Sequence, residues 1–120
     1  MLSKRSKKDS GSQGEKYAAN LLRKKGYKLV ARNVRSKFGE IDIVAIKDST
    51  LVFVEVKTRW SRKFGTPSEA VTPQKLRRIK KAAEYFSLIH PQYPQKLSIE
   101  VVSLEVEDKK VIEAKILQAY

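Results

Sequence analysis

The sequence predicts an α/β protein, a three-layer α/β/α sandwich around a central mixed five-stranded sheet. Three observations predict it. Five short runs, at 27–35, 40–46, 51–58, 97–106 and 110–117, carry alternating or continuous apolar residues of the kind that pack on a pleated surface. Two longer stretches repeat apolar residues at helical spacing. Their order, α, β, β, β, α, β, β, supplies one helix for each face of a single sheet.

The first ten residues, rich in Lys and Ser, read as a disordered basic tail, with 11–120 as one domain. Ser12 to Glu15 fits a capping box, with Ser12 at the N-cap and Glu15 at N3. The helix it opens runs to about Lys25 with an apolar stripe of Ala18, Ala19, Leu21 and Leu22, and Gly26 sits where a C′ glycine belongs. Glu15 precedes Ala18, Ala19 and Leu22 by helical spacings and so shares the core-facing side. Gly14 weakens a helix start but permits close backbone approach. Short connections at 36–39 and 47–50 join the first three strands as an antiparallel meander. After a loop containing Gly65 and Pro67, Thr72 at the N-cap and Pro73 at N1 begin the second helix. Its core stripe is Leu76, Ile79, Ala83 and Phe86, and His90-Pro91 ends it. The solitary His90 reads as a cap or surface residue, and Trp60 as a packing residue, with stacking on an exposed base as the alternative.

At 120 residues the chain has room for one hydrophobic core. It has no cysteine, which excludes disulfides, thiolate metal sites and cysteine nucleophiles. No apolar run approaches the roughly 18 residues of a spanning helix, and the basic, polar start has no signal-peptide h-region. The expectation is a cytoplasmic protein without a membrane partner. The net charge of +13 is unevenly spread: residues 1–38 hold 12 Lys/Arg against 2 acids, and 59–81 hold 8 against 1. The intervening 39–58 hold 2 Lys and 4 acids. Basic segments flanking an acidic centre favour a polyanionic partner, nucleic acid first, through release of counterions from phosphates.

The acidic centre carries the chemistry. In Leu51–Arg59, Glu55 and Lys57 are two apart on a strand apolar on both faces. Burying such charges costs several kcal/mol unless they are paired, hydrogen-bonded or metal-bound. If Ile46 faces Leu51 across a hairpin, Asp42 falls opposite Glu55 on one face. Two hard oxygen ligands suit Mg²⁺ or Mn²⁺ with waters retained for substrate, and a Lys beside them suits negative charge developing on a phosphate. Glu15 is placed to reach the same site and hold metal-bound water. Glu40 shares Asp42's parity but is assigned to the turn and left out of the ligand set. The bland alternatives are an ordinary ion pair for Glu55 and Lys57 and a mere capping box for Glu15.

These residues carry a resemblance. Gln13-Gly14-Glu15, Gly26-Tyr27, Arg32-Asn33, Gly39-Glu40-Ile41-Asp42, Phe53-Val54-Glu55-Val56-Lys57-x-Arg59, Phe64-Gly65 and Ala119-Tyr120 together look like the small bacterial YraN-like proteins, predicted endonucleases similar to archaeal Holliday-junction resolvases within the PD-(D/E)xK nuclease superfamily. The resemblance covers about residues 11–120. It implies a restriction-endonuclease-like core and metal-dependent phosphodiester cleavage, with Glu15, Asp42, Glu55 and Lys57 as catalytic residues and Asp42 and Glu55 as metal ligands. The family's Arg-Phe-Asp segment in the fourth strand is replaced here by Ser98-Ile99-Glu100.

Lys75, Arg77, Arg78 and Lys81 crowd the first half of the second helix, against the helix macrodipole. With Arg59 they form the expected nucleic-acid-binding set. The functional expectation is a Mg²⁺- or Mn²⁺-dependent endonuclease acting on DNA, at branched or distorted structures, for which a homodimer would make geometric sense. The rival expectations are a non-catalytic nucleic-acid-binding module on a nuclease fold and a basic protein that binds structured RNA.

Overall fold

Four consecutive residues, Leu51 to Val54, are each at most 2% exposed. A strand buried on both faces requires a layer on each side. A computed structural model, describing residues 2–60 and 71–120 with side chains from Gln13 onward, shows how those layers are supplied. Helix α1 (Leu2–Lys24) precedes strands β1 (Lys28–Ser36), β2 (Gly39–Lys47) and β3 (Thr50–Arg59). Helix α2 (Pro73–Ile89) then leads to β4 (Leu97–Glu107) and β5 (Lys110–Gln118). The five strands form one sheet in the order β1-β2-β3-β4-β5. Only β3 and β4, joined through α2, are parallel; the other neighbours are antiparallel.

Strand alternation divides the core in two. Val52, Val54, Val102 and Leu104 project to one face and pack with Ala18, Ala19 and Leu22 of α1. Leu51, Phe53 and Ile99 project to the other and pack with Ile79, Ala82, Ala83 and Phe86 of α2. The expected three-layer arrangement and mixed five-stranded sheet are therefore the observed ones.

The tight turns set the register. Asp48 and Ser49 both have positive φ (51° and 61°), as do Asp108 and Lys109 (52° and 64°). Two left-handed central residues match the strand twist in a two-residue hairpin turn. The first turn places Lys47 against Thr50 and Ile46 against Leu51, the register inferred from the sequence. The second pairs Glu107 with Lys110.

Thr72 caps α2, its Oγ1 accepting the Lys75 N–H at 3.1 Å, with Pro73 following at the first helical position. His90 closes the helix as its C-cap, with its ring 4.2 Å from that of Phe86. At the end of α1, Gly26 adopts φ +91° and the Tyr27 N–H donates to the Leu22 carbonyl at 3.0 Å.

The start of α1 departs from expectation. The helix begins at Leu2, so Ser12 lies inside the helix rather than at its cap. Once a helix is nucleated, adding a residue costs far less than starting one, and no proline interrupts this segment. Trp60 is another departure: it is 52% exposed, so the packing role fails. The Gly65, Pro67 and Phe64 of the expected loop lie outside the described residues.

Gly14 resolves in favour of close approach. It is buried where α1 crosses β3, and a Cβ there would overlap the Thr58 hydroxyl. Gly14→Val should therefore lower stability by about 1–3 kcal/mol, the usual cost of overpacking, and Thr58→Ala in the same chain should recover part of it. Urea unfolding of both variants checks this; an unchanged stability in Gly14→Val would show that α1 does not depend on this contact.

Candidate active site

β2 and β3 are paired from Lys47–Thr50 to Ile43–Val54, and their ladder ends there. β2 continues with β1 as far as Gly39, whereas β3 continues with β4 as far as Arg59. The sheet therefore splits between Asp42 and Glu55. The Val56 N–H finds its acceptor in the side chain of Asp42, donating to Oδ2 at 2.8 Å. Hairpin register and this hydrogen bond bring Asp42 to the same end of the sheet as Glu55.

A cleft of about 250 Å³ opens at the split, between the two strands and the first half of α2. Phe38, Gly39, Glu40, Asp42 and Glu55 line the sheet side, and Lys75, Arg78, Ile79 and Ala82 the helix side. A larger cleft, about 580 Å³, lies where α1 leaves β4 and β5 uncovered. Two of its polar contacts are internal: Tyr27 donates to Glu100 Oε1 at 2.6 Å, and Lys47 donates to the Lys25 carbonyl. The smaller cleft is where carboxylates converge.

Burial pushes the Asp42 carboxyl up to about 7. The Glu55 carboxylate adds to the effect, Glu15 and Glu40 add less, and the Val56 N–H opposes it. Glu55 is itself buried, and its Oε2 receives Lys75 Nζ at 2.6 Å. Lys75 thus makes a contact within the site that its place on the basic helix did not predict. It is the counter-ion of Glu55 within the site, although it lies among the helix residues assigned to phosphate. The sequence held a clue in the cation at a helix N-terminus, where the macrodipole disfavours it. A buried carboxylate across the cleft supplies the missing compensation.

Lys57 follows Glu55 on the same face and is half-buried. Among the described residues it has no ion-pair partner. Its register partner on β4 is Ser103, which is 2% exposed and has an Oγ without a hydrogen-bond partner among the described residues. Arg59 lies farther along β3 on that same face, also half-buried. Arg78 is exposed at the cleft, and Arg77 and Lys81 are exposed elsewhere on α2.

Glu15 belongs to the other layer. Its Oε1 lies 3.7 Å from Arg32 Nη2. Burial raises its pKa, while Arg32 and the side chain of Asn33 pull it down. Asn33 has φ 53°, a left-handed conformation that Asn tolerates better than most residues. The Arg32-Asn33 pair therefore holds Glu15 within electrostatic range of Asp42, a role not assigned to it from sequence. Glu40, set aside as a turn residue, lines the cleft and pairs with Arg35 at 3.1 Å. Its strand parity with Asp42 was the available signal.

Among the described residues no three or more His, Asp or Glu side chains converge as a metal cage. What the cleft offers is a two-carboxylate site. Mg²⁺ is commonly held by one or two carboxylates together with waters and substrate phosphates. Asp42 and Glu55 fit that mode: both are hard oxygen donors, their mutual repulsion favours a cation, and one cation already sits on Glu55.

Fold and site together define a three-layer α/β/α protein with a carboxylate pair where two central strands diverge. Residues 14–104 match the family described as Uncharacterised protein family UPF0102, and the chain belongs to that family. It is 50% identical over 103 residues to a UPF0102 protein of Syntrophomonas wolfei, an alignment covering 86% of this chain and 90% of the relative. A UPF0102 protein of Caldanaerobacter subterraneus is 46% identical over 108 residues, covering 88% of each. One from Caldicellulosiruptor saccharolyticus is 54% identical over 80 residues, covering 67% of this chain and 68% of the relative. No helix among the described residues is long and apolar enough to cross a membrane.

The Asp42 geometry predicts a pH signature. The folded chain holds this proton up to about pH 7, whereas an unfolded Asp releases it near 4. Between those values the folded state binds more protons, so Asp42 lowers stability as pH rises from about 4 to 7, with no further loss above. Asp42→Asn retains an acceptor for the Val56 N–H and removes this loss. It should melt above wild type at about pH 8, with the gain shrinking toward pH 5. Thermal unfolding across this range checks it, and a pH-independent difference would contradict it.

Proposed function

We propose that the protein is a divalent-metal-dependent endonuclease that hydrolyses phosphodiester bonds in DNA, with branched or distorted structures as its targets. The observation that carries this reading is the juxtaposition of half-buried Asp42 with buried Glu55 in a cleft whose other wall is basic. A protein that only bound phosphates would gain nothing from carboxylates there, since without a cation they repel the backbone. The sheet with a helix on each face, and the resemblance to the PD-(D/E)xK nucleases, support the same reading.

Asp42 and Glu55 would hold the metal. Bound there, Mg²⁺ or Mn²⁺ would supply Lewis acidity toward a phosphate oxygen and acidify water. Lys57 stands two residues beyond Glu55 and acts as an electrostatic stabiliser of charge on the phosphate oxygens. Arg78, with Arg77, Lys81 and Arg59, positions the sugar-phosphate backbone without reading bases. Glu15, braced by Arg32, adds negative potential at Asp42 and so strengthens its preference for a cation.

One observation favours a second reading. Lys75 already neutralises Glu55 without a metal, as a non-catalytic nucleic-acid-binding module on this fold would require. The two readings separate in a cleavage panel with Mg²⁺ and Mn²⁺ against duplex, single-stranded, flap and four-way-junction DNA. Wild type should cut at least one substrate only when metal is present. Asp42→Ala or Glu55→Ala should abolish cutting while binding is retained or tightened. Lys57→Ala should slow single-turnover cleavage by roughly 10²-fold, as loss of one preorganised stabiliser does, with affinity changed less than about tenfold. Metal-independent cutting, or Asp42→Ala cutting at the wild-type rate, would remove the assignment.

A further inference from the structure

The Lys75–Glu55 pair is out of place for a lysine that serves only as a phosphate contact. Its ammonium lies 2.6 Å from Glu55 Oε2, on a carboxylate side chain 11% exposed, while Lys75 itself remains 37% exposed. The backbone of Lys75 is fixed, since its N–H caps onto Thr72 Oγ1 at 3.1 Å in the first turn of α2. The four-carbon stem is what is free to move. The ammonium meets the carboxylate, and Lys75 lines the open cleft. Arg78, one helical turn later, lines the same cleft and is exposed.

We propose that Lys75 is the protein's own occupant of the cation position on Glu55: its ammonium holds that position in the free protein, gives way when a divalent ion enters beside Asp42 and Glu55, and then meets the phosphate of a bound strand together with Arg78. This rests on the cation-site reading above. The charges decide the sequence of events. An ammonium and a divalent ion on one carboxylate repel each other strongly in a partly buried cleft. Binding of the ion therefore includes the cost of breaking the pair, and a phosphate near Lys75 and Arg78 offsets that cost. Metal and polyanion should then strengthen each other's binding, as reciprocal coupling requires. In the free protein the same pair keeps Glu55 from being buried as an uncompensated charge.

The test is calorimetric titration of MnCl₂ into the full chain, without nucleic acid, for wild type, Lys75→Gln, Lys75→Arg and Lys96→Gln at one ionic strength. Lys96 is exposed, at the opposite end of β3 from the site, and controls for the loss of one positive charge. Lys75→Gln should bind Mn²⁺ about five- to tenfold more tightly than wild type, the scale of a competing ion pair removed. Lys75→Arg, which keeps the competing charge, should stay close to wild type, and Lys96→Gln should stay within about twofold. Equal or weaker Mn²⁺ binding by Lys75→Gln overturns the competitor role and leaves the two-carboxylate site standing. Failure of every variant to bind Mn²⁺ overturns that site, and this proposal with it. Should Lys75→Gln not fold, the wild-type ammonium resonance of Lys75 answers the question. It should be visible in the free protein and lost to solvent exchange on addition of Mg²⁺; its persistence at saturating Mg²⁺ overturns the proposal.

Discussion

The hydrogen bond from the Val56 N–H to Asp42 Oδ2, 2.8 Å long, occupies the point where the central sheet divides. β2 leaves β3 after Ile43–Val54, yet β3 must continue to Arg59 to complete its ladder with β4. A side-chain carboxylate supplies the acceptor that the departing strand withdraws. This satisfies a half-buried amide and fixes the carboxylate beside Glu55. The cleft lies at that substitution of side chain for backbone, under the first half of α2, which apolar packing holds on the sheet.

The constraint reaches back to a turn far from the site. Side chains alternate with period two, so a one-residue slip in the β2–β3 hairpin would carry Asp42 to the other face. The left-handed Asp48 and Ser49 hold the two-residue turn that prevents it. That is why the pairing of Asp42 with Glu55 was readable from spacing alone: a tight turn plus alternation leaves one register. The strands, α2 and its Thr72-Pro73 start were readable for similar reasons, because each depends on local chemistry. What the sequence hid depends on contacts between layers. The pairing of Lys75 with Glu55 joins residues 20 apart, on different elements, and no spacing rule predicts which lysine on a basic helix turns inward. The bracing of Glu15 by Arg32 likewise required the packing of α1 on β1. At the N-terminus, the Ser12-to-Glu15 signature was a sound local cap, but the helix continued through it.

The two faces of the sheet divide the work. On the α1 side, Gly14 lets the helix lie close on β3 while Glu15 carries charge toward the split. On the α2 side, Lys75 and Arg78 line the cleft. Basic residues of α2 and the acidic pair therefore meet in one cleft. Basic residues raise the local potential for anions at long range, and the carboxylates form the acidic wall of the cleft.

Asp42 stands at the split with its carboxyl pushed up by burial and by Glu55 beside it. The direct measurement is a carbon-13 NMR titration of the Asp42 side-chain carboxyl, with and without Mg²⁺. The expected midpoint for the free protein is about 7, falling when Mg²⁺ is added. A midpoint near 4, the ordinary value for an exposed Asp, unmoved by Mg²⁺, would contradict it.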